Sequence, residues 1–88
     1  NPNIVFADSR FEEAVSAAVR AAFSNNGQIC LCGSRLYVER PIYERFRDAL
    51  VMRVSALKVG NPLDEGTDLG ALVSKGHMEK VQSCLELA

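Results

Sequence analysis

Several absences limit what this chain can be. No Gly-x-Gly-x-x-Gly fingerprint occurs in its 88 residues, so it lacks the phosphate-binding turn with which a Rossmann-type fold takes a dinucleotide. No charge of one sign is in surplus. Ten Lys and Arg stand against eleven Asp and Glu, a net charge of −1, which offers no positive field to nucleic acid or an anionic membrane surface. The uncharged apolar stretches fall far short of the roughly 20 residues that a membrane-spanning helix needs. No basic segment followed by an apolar core marks a secretory signal.

Metal-binding and disulfide chemistry are equally thin. Histidine occurs once, as His77, and cysteine three times, as Cys30, Cys32 and Cys84. A structural zinc site takes four nitrogen or sulfur ligands, so no metal is expected. Cys30 and Cys32 are one residue apart, too close for an ordinary bridge, and an odd number of cysteines makes no disulfide framework. Free thiols fit a reducing compartment, so a cytoplasmic location is expected.

What is present reads as part of a globular α/β unit. Hydrophobic residues are 48% of the chain and charged residues 24%, ordinary globular usage. Ile4-Val5-Phe6-Ala7 is a continuous apolar run that predicts a strand buried on both faces of a parallel sheet. Ser9 and Glu12 have the spacing of a capping box. After them Phe11, Ala14, Val15, Ala18, Val19 and Ala22 form the stripe of an amphipathic helix, with Arg20 off it. Asn25-Asn26-Gly27 ends that helix.

Leu36-Tyr37-Val38 predicts a second strand, and Pro41 suits the first turn of the next helix. Tyr43, Phe46, Leu50, Val54 and Leu57 mark the buried face of that helix, while Arg45, Arg47, Asp48 and Arg53 fall on its solvated side. Gly60-Asn61-Pro62 terminates it, and a loop runs to Gly70. Ser74 can cap a last helix with Met78, Val81, Leu85 and Ala88 on one face. Strands alternating with helices argue a parallel sheet, but two strands cannot bury both faces of such helices. A single domain also typically runs to about 100–150 residues. The chain is therefore expected to be a fragment of a larger protein.

The segment between the first helix and the second strand bears the chemistry. Cys30 lies in a small-residue turn flanked by two regular elements, the setting a nucleophilic thiol needs. On its own a free cysteine is more often a small buried hydrophobe, and Cys32 is read that way. The stretch Phe23-Ser24-Asn25-Asn26-Gly27-Gln28-Ile29-Cys30-Leu31-Cys32-Gly33-Ser34-Arg35 resembles the active-site cysteine signature of the aldehyde dehydrogenase superfamily. That signature runs aromatic or apolar residue, three residues, Gly-Gln or Gly-Glu, any residue, Cys, then small residues and Arg.

The resemblance continues on both sides. Asn1-Pro2-Asn3-Ile4-Val5-Phe6 is similar to the strand after the family's Glu-Leu-Gly-Gly-Lys motif. Gly60-Asn61-Pro62-Leu63-Asp64 and Asp68-Leu69-Gly70-Ala71-Leu72-Val73 are similar to its downstream loop, with Ala71 where proline is more usual. Cys30-Leu31-Cys32 after Gly27-Gln28-Ile29 looks most like the branch that oxidises muconic semialdehydes.

The resemblance implies an α/β fold, with residues 1–88 a fragment of the parallel-sheet catalytic domain. It implies Cys30 as the nucleophile, which attacks an aldehyde to give a thiohemiacetal and then a thioester. It implies NAD or NADP as cofactor, with His77 and Lys80 on the helix that approaches the nicotinamide ribose. Ser24, Ile29 and Leu31 are expected to line the substrate tunnel, although Ile29 and Leu31 suit a core equally well. The partners it implies are a small-molecule aldehyde and further copies of the enzyme, since members form dimers or tetramers. The family's catalytic base and oxyanion asparagine have no counterparts among these residues, so the isolated chain is expected to be inactive. Two other readings stand beside this one: a cysteine hydrolase or acyltransferase using Cys30 and His77, and a non-catalytic folding or interaction module.

Overall fold

A computed structural model describes residues 1–88. It contains strand β1 (Pro2–Val5), helix α1 (Phe11–Phe23), strand β2 (Arg35–Val38), helix α2 (Tyr43–Ser55) and helix α3 (Lys75–Glu86). A short left-handed turn, Ser24–Gly27, follows α1, and a turn at Arg40–Ile42 holding Pro41 precedes α2. The two strands pair in parallel, with Pro2 opposite Arg35 and Val5 opposite Val38. A β-α-β unit on a parallel sheet is what the alternating pattern predicts.

The first strand lies two residues earlier than expected. Pairing stops at Val5 because β2 ends opposite it and the chain turns there: the Glu39 N–H donates to the Val5 carbonyl, and the Glu39 carboxylate accepts from the Ala7 N–H at 2.6 Å. A side chain thus takes the place of a continuing ladder. Burial on both faces is not observed either. Val5 points into the core, but Ile4 is 60% and Phe6 61% exposed on the opposite face, and Tyr37, opposite Ile4, is 54% exposed.

The core is small. Val5, Val15, Ala18 and Phe46 are fully enclosed, with Phe11, Ala14, Leu36, Val38, Ile42, Ala49 and Leu50 packed around them. Val15 and Ala18 come from the predicted α1 stripe, and Phe46 from the predicted α2 face. Phe11 meets Phe46 edge-to-face at 5.8 Å, a geometry worth roughly 0.5–1.5 kcal/mol beyond the area it buries. Tyr43, expected on the buried face, is exposed because it lies in the first turn of α2, at the margin of that small core.

Two local expectations are overturned. Ser9 does not cap α1. The residue before the helix is Arg10, with extended backbone, so Ser9 stands one position too early and its buried hydroxyl has no partner. Glu12 and Glu13 instead place negative charge in the first turn, where the helix dipole favours it. Nor is Arg53 simply solvated: its guanidinium crosses to α1 and donates to Glu12 and Ser16. Arg45 stacks over the Phe11 ring, 3.9 Å from its centroid. Arg47 is exposed, and its hydrogen bond to Asp48, with that carboxylate's charge, raises its pKa above the ordinary value.

The chain does not close its own surface. It exposes 6933 Å², where a compact monomer of its mass exposes about 5,100 Å². Its radius of gyration is 14.4 Å against about 12 Å for a compact domain of this length. Helix α3 has no buried residue, and Met78, Val81 and Leu85 face solvent. With about 25 cal/mol per Å² at stake on exposed apolar area, and each strand of the two-strand sheet leaving one edge unpaired, the isolated 88-residue chain is expected to associate or remain loosely packed. Analytical ultracentrifugation over a dilution series checks this. A sharp monomer that unfolds cooperatively would contradict it.

Candidate functional site

The site grows from the end of α1. Asn25, Asn26 and Gly27 all adopt left-handed backbone, with φ of 50°, 58° and 73°. Asparagine and glycine are the residues that accept this region, which reverses the chain after a helix. The Gln28 N–H closes the turn on the Asn25 carbonyl at 3.0 Å. Gly27 is needed for space as well as φ, since a Cβ there would stand 3.1 Å from the Ala22 carbonyl oxygen.

Cys30 sits at the tip of the next turn. The Cys32 N–H donates to the Ile29 carbonyl at 2.9 Å, and the Gly33 N–H to the Ala21 carbonyl at 2.8 Å. Cys32, half-buried, donates its thiol to the Ala22 carbonyl at 3.3 Å. The limb after the tip is thus pinned to α1. A Cβ on Gly33 would lie 3.2 Å from the Ala21 Cβ and 3.4 Å from the Asn3 Cβ, so only glycine lets strand, turn and helix approach this closely. The side-chain amide of Asn1 donates to the Cys30 carbonyl at 2.7 Å, which fixes the plane of the Cys30–Leu31 peptide.

This leaves Cys30 exposed and held by backbone on both sides. The N–H groups of Ile29, Cys30 and Leu31 have no acceptor within the chain. An accessible thiol beside free main-chain donors can form a covalent adduct and stabilise the oxyanion that results.

The other predicted residues are not all drawn to this point. Ile29 and Leu31 flank Cys30, and Leu31 is 83% exposed, so neither belongs to the core of this chain. Ser24 is half-buried and lines a small crevice with Leu57, Asp68 and Leu69. His77 and Lys80 lie on α3. Ser74 caps that helix as expected, its hydroxyl accepting the His77 main-chain N–H at 3.2 Å. No hydrogen bond joins His77 to Cys30. No group of three or more His, Cys, Asp or Glu residues is placed to hold a metal ion.

Two features were not visible in the sequence. The loop after α2 closes on itself: Val59 bridges Leu69, and the Asp68 carboxylate accepts the Lys58 N–H at 2.9 Å. Asn26 reaches 44 and 45 residues along the chain, donating its amide to the carbonyls of Gly70 at 3.2 Å and Ala71 at 3.4 Å. The Asn-Asn-Gly run signals the left-handed turn, but nothing in it names the distant acceptor. An open apolar groove of about 610 Å³ lies between this turn and the start of α3, lined by Phe23, Asn26, Val59, Leu69, Leu72 and Met78 among others.

Comparison with known proteins bears on the whole chain. The sequence profile of the aldehyde dehydrogenase family matches residues 1–88. Over all 88 residues the chain is 49% identical to 2-aminomuconic 6-semialdehyde dehydrogenase of Pseudomonas sp and 44% identical to human 2-aminomuconic semialdehyde dehydrogenase, spanning 18% of the length of each. The crystal structure of betaine aldehyde dehydrogenase from Staphylococcus aureus in complex with NAD+, with a BME-free cysteine, superposes with a TM-score of 0.96 at 40% identity; it covers 100% of this chain and 17% of that one. A mutant of the same enzyme carries that cysteine BME-modified, with a TM-score of 0.94 over 98% of this chain. The α/β arrangement is thus a fragment of the aldehyde dehydrogenase fold. With the profile matched from the first residue to the last and the backbone superposing throughout, the chain belongs to the aldehyde dehydrogenase family.

Proposed function

We propose that residues 1–88 are the part of an aldehyde dehydrogenase catalytic domain that carries its nucleophile, Cys30. The observation that bears most weight is the exposed Cys30 thiol on a turn pinned to α1, beside three main-chain N–H groups without acceptors. The related Staphylococcus aureus enzyme, whose cysteine is found both free and BME-modified, supports a reactive thiol in this family. The names of the relatives support a 2-aminomuconic semialdehyde as substrate.

The chemistry follows from the site. An ordinary thiol is mostly protonated at neutral pH, so a base from outside these residues must take its proton. The Cys30 thiolate then attacks the aldehyde carbon, forming a C–S bond while the carbonyl electron pair moves to oxygen. The Cys30 N–H, which has no acceptor within the chain, is the natural main-chain donor to that oxyanion. NAD or NADP, when bound, supplies the acceptor for the hydride that leaves this carbon. Cys30 afterwards holds the acyl group as a thioester, and water releases the carboxylic acid as the thiolate departs.

The residues present fit one end of that cofactor. His77 and Lys80 stand one turn apart on α3, and Lys75 takes Glu79 at 3.7 Å, which leaves the Lys80 ammonium outside the ion pair of the helix. An imidazole and an ammonium are suitable donors to ribose hydroxyls. Ile29 and Leu31, exposed on either side of the thiol, suit the wall of a substrate tunnel, with Ser24 deeper in the turn. The large uncovered surface supports packing against further polypeptide in a homo-oligomeric enzyme, and three free thiols support a reducing, cytoplasmic setting. A hydrolase built on Cys30 and His77 is not favoured, since the relatives are dehydrogenases.

In the full-length protein, NAD- or NADP-dependent oxidation of 2-aminomuconic semialdehyde is expected with kcat/KM at least about tenfold above that for betaine aldehyde, a preference of the size that differing pocket contacts produce. Reduced nicotinamide absorbance reports both rates. Equal or reversed preference would remove the substrate assignment, and thioester hydrolysis without any cofactor-dependent oxidation would remove the dehydrogenase.

A further inference from the structure

We infer that Asn26 is a positioning residue: its side-chain amide, clamped to the carbonyls of Gly70 and Ala71, sets the place of the Cys30 thiol relative to helix α3. The inference rests on Cys30 being the nucleophile, and it goes further by naming what aims it.

The Cys30 thiol makes no hydrogen bond of its own; its carbonyl is held by the Asn1 amide, and the rest of its placement comes from the two limbs of its loop. The limb after it is tied to α1 through Gly33 on Ala21 and Cys32 on Ala22. The limb before it leaves α1 through three left-handed residues and is tied only locally, by the Gln28 N–H on the Asn25 carbonyl and by the Ile29 carbonyl to the Cys32 N–H, with no main-chain bond to the 60–73 segment. Its distant anchor is the Asn26 amide, half-buried in the apolar groove, which donates to two successive carbonyls. No other hydrogen bond joins this turn to the 60–73 segment.

The acceptors matter as much as the donor. Ala71 stands three residues before Ser74, the cap of α3, and α3 bears His77 and Lys80. Helix α3 buries no side chain in this unit, so packing does little to hold it there. The Asn26 amide therefore couples the thiol to the helix that faces the cofactor. Two acceptors also explain why the side chain is an amide: its NH₂ supplies two protons, whereas a carboxylate would face both carbonyls with negative charge.

The test uses the full-length enzyme with Asn26→Gly, Asn26→Asp and Cys30→Ser. Glycine tolerates φ 58° and removes only the clamp. Asn26→Gly is expected to keep the thermal midpoint near wild type, to leave KM within about threefold, and to lower both kcat and the alkylation rate of Cys30 about tenfold or more, the scale of an ångström-sized misplacement. Asn26→Asp is expected to fall further at about pH 8 and, relative to wild type at the same pH, to recover part of the loss only as the pH approaches about 4, the ordinary aspartate range, where a protonated carboxyl regains one donor. A purely structural role would lower the midpoint without that pH-dependent recovery. Wild-type kcat and alkylation in Asn26→Gly, or an Asn26→Asp deficit independent of pH, would overturn the inference while an inactive Cys30→Ser left the nucleophile in place. An active Cys30→Ser would instead overturn the reading on which the inference stands.

Discussion

Replacing Cys30 with alanine in the full-length protein is expected to abolish aldehyde oxidation, with kcat reduced by about 10³- to 10⁶-fold, the range seen when a covalent nucleophile is removed. No neighbour can substitute for it. Cys32 is half-buried and its thiol is engaged with the Ala22 carbonyl at 3.3 Å, and Cys84 lies on α3, more than fifty residues further along the chain. Only Cys30 combines exposure with adjacent unoccupied N–H donors. Competitive alkylation of the intact enzyme at limiting reagent, followed by peptide mapping, should label Cys30 well before the other two. Binding of aldehyde and cofactor should survive the substitution, because the lost group makes and breaks the covalent bond and is not what anchors the ligands. Preferential labelling of Cys32 or Cys84, or substantial turnover by the alanine variant, would defeat the assignment.

Phe46→Ala is expected to have the largest effect on stability, about 3–5 kcal/mol. Phe46 is wholly enclosed where α2 meets α1 and the strands, and it contacts Phe11 edge-to-face. Truncation removes the apolar transfer term, opens a cavity and loses the aromatic pair. It also loosens the surface on which Phe11 carries the Arg45 guanidinium. Phe46→Leu, which conserves most of the volume, should cost far less, about 1–1.5 kcal/mol. Tyr43→Ala, in the exposed first turn of α2, should stay within about 0.5 kcal/mol. Denaturant midpoints of the full-length protein measure all three. A Phe46→Ala variant as stable as the tyrosine variant would show that Phe46 does not seat α2 on α1.

The local periodicities of the sequence were enough to place α1, β2, α2 and α3 and to find Val15, Ala18 and Phe46 in the core. Helix stripes and strand composition are properties of neighbouring residues, and they survive whatever surrounds them. The same holds for the capping hydroxyl of Ser74 and for Asn25-Asn26-Gly27 as the end of α1. Where the sequence misled, a distant partner had intervened. The Glu39 carboxylate ended β1 at Val5, the Arg53 guanidinium was drawn off the solvated side by Glu12 and Ser16, and a one-residue shift in the start of α1 left Ser9 without its capping role.

The proposed nucleophile was legible as a candidate because its signature is contiguous. Thirteen residues around Cys30 encode a turn, a thiol and the glycines that give it room, and family membership follows from such local pattern. What aims the thiol was not legible. The contacts of Cys32 with Ala22, Gly33 with Ala21 and Asn26 with Gly70 and Ala71 pair groups ten to forty-five residues apart. Backbone carbonyls carry no side-chain signature that a sequence could advertise as their partners. Sequence alone thus singled out the residue proposed to react, through the pattern local to Cys30. The tertiary structure decided how that residue is held, because acceptors distant along the chain become neighbours only when α1, the left-handed turn and the 60–73 loop pack together.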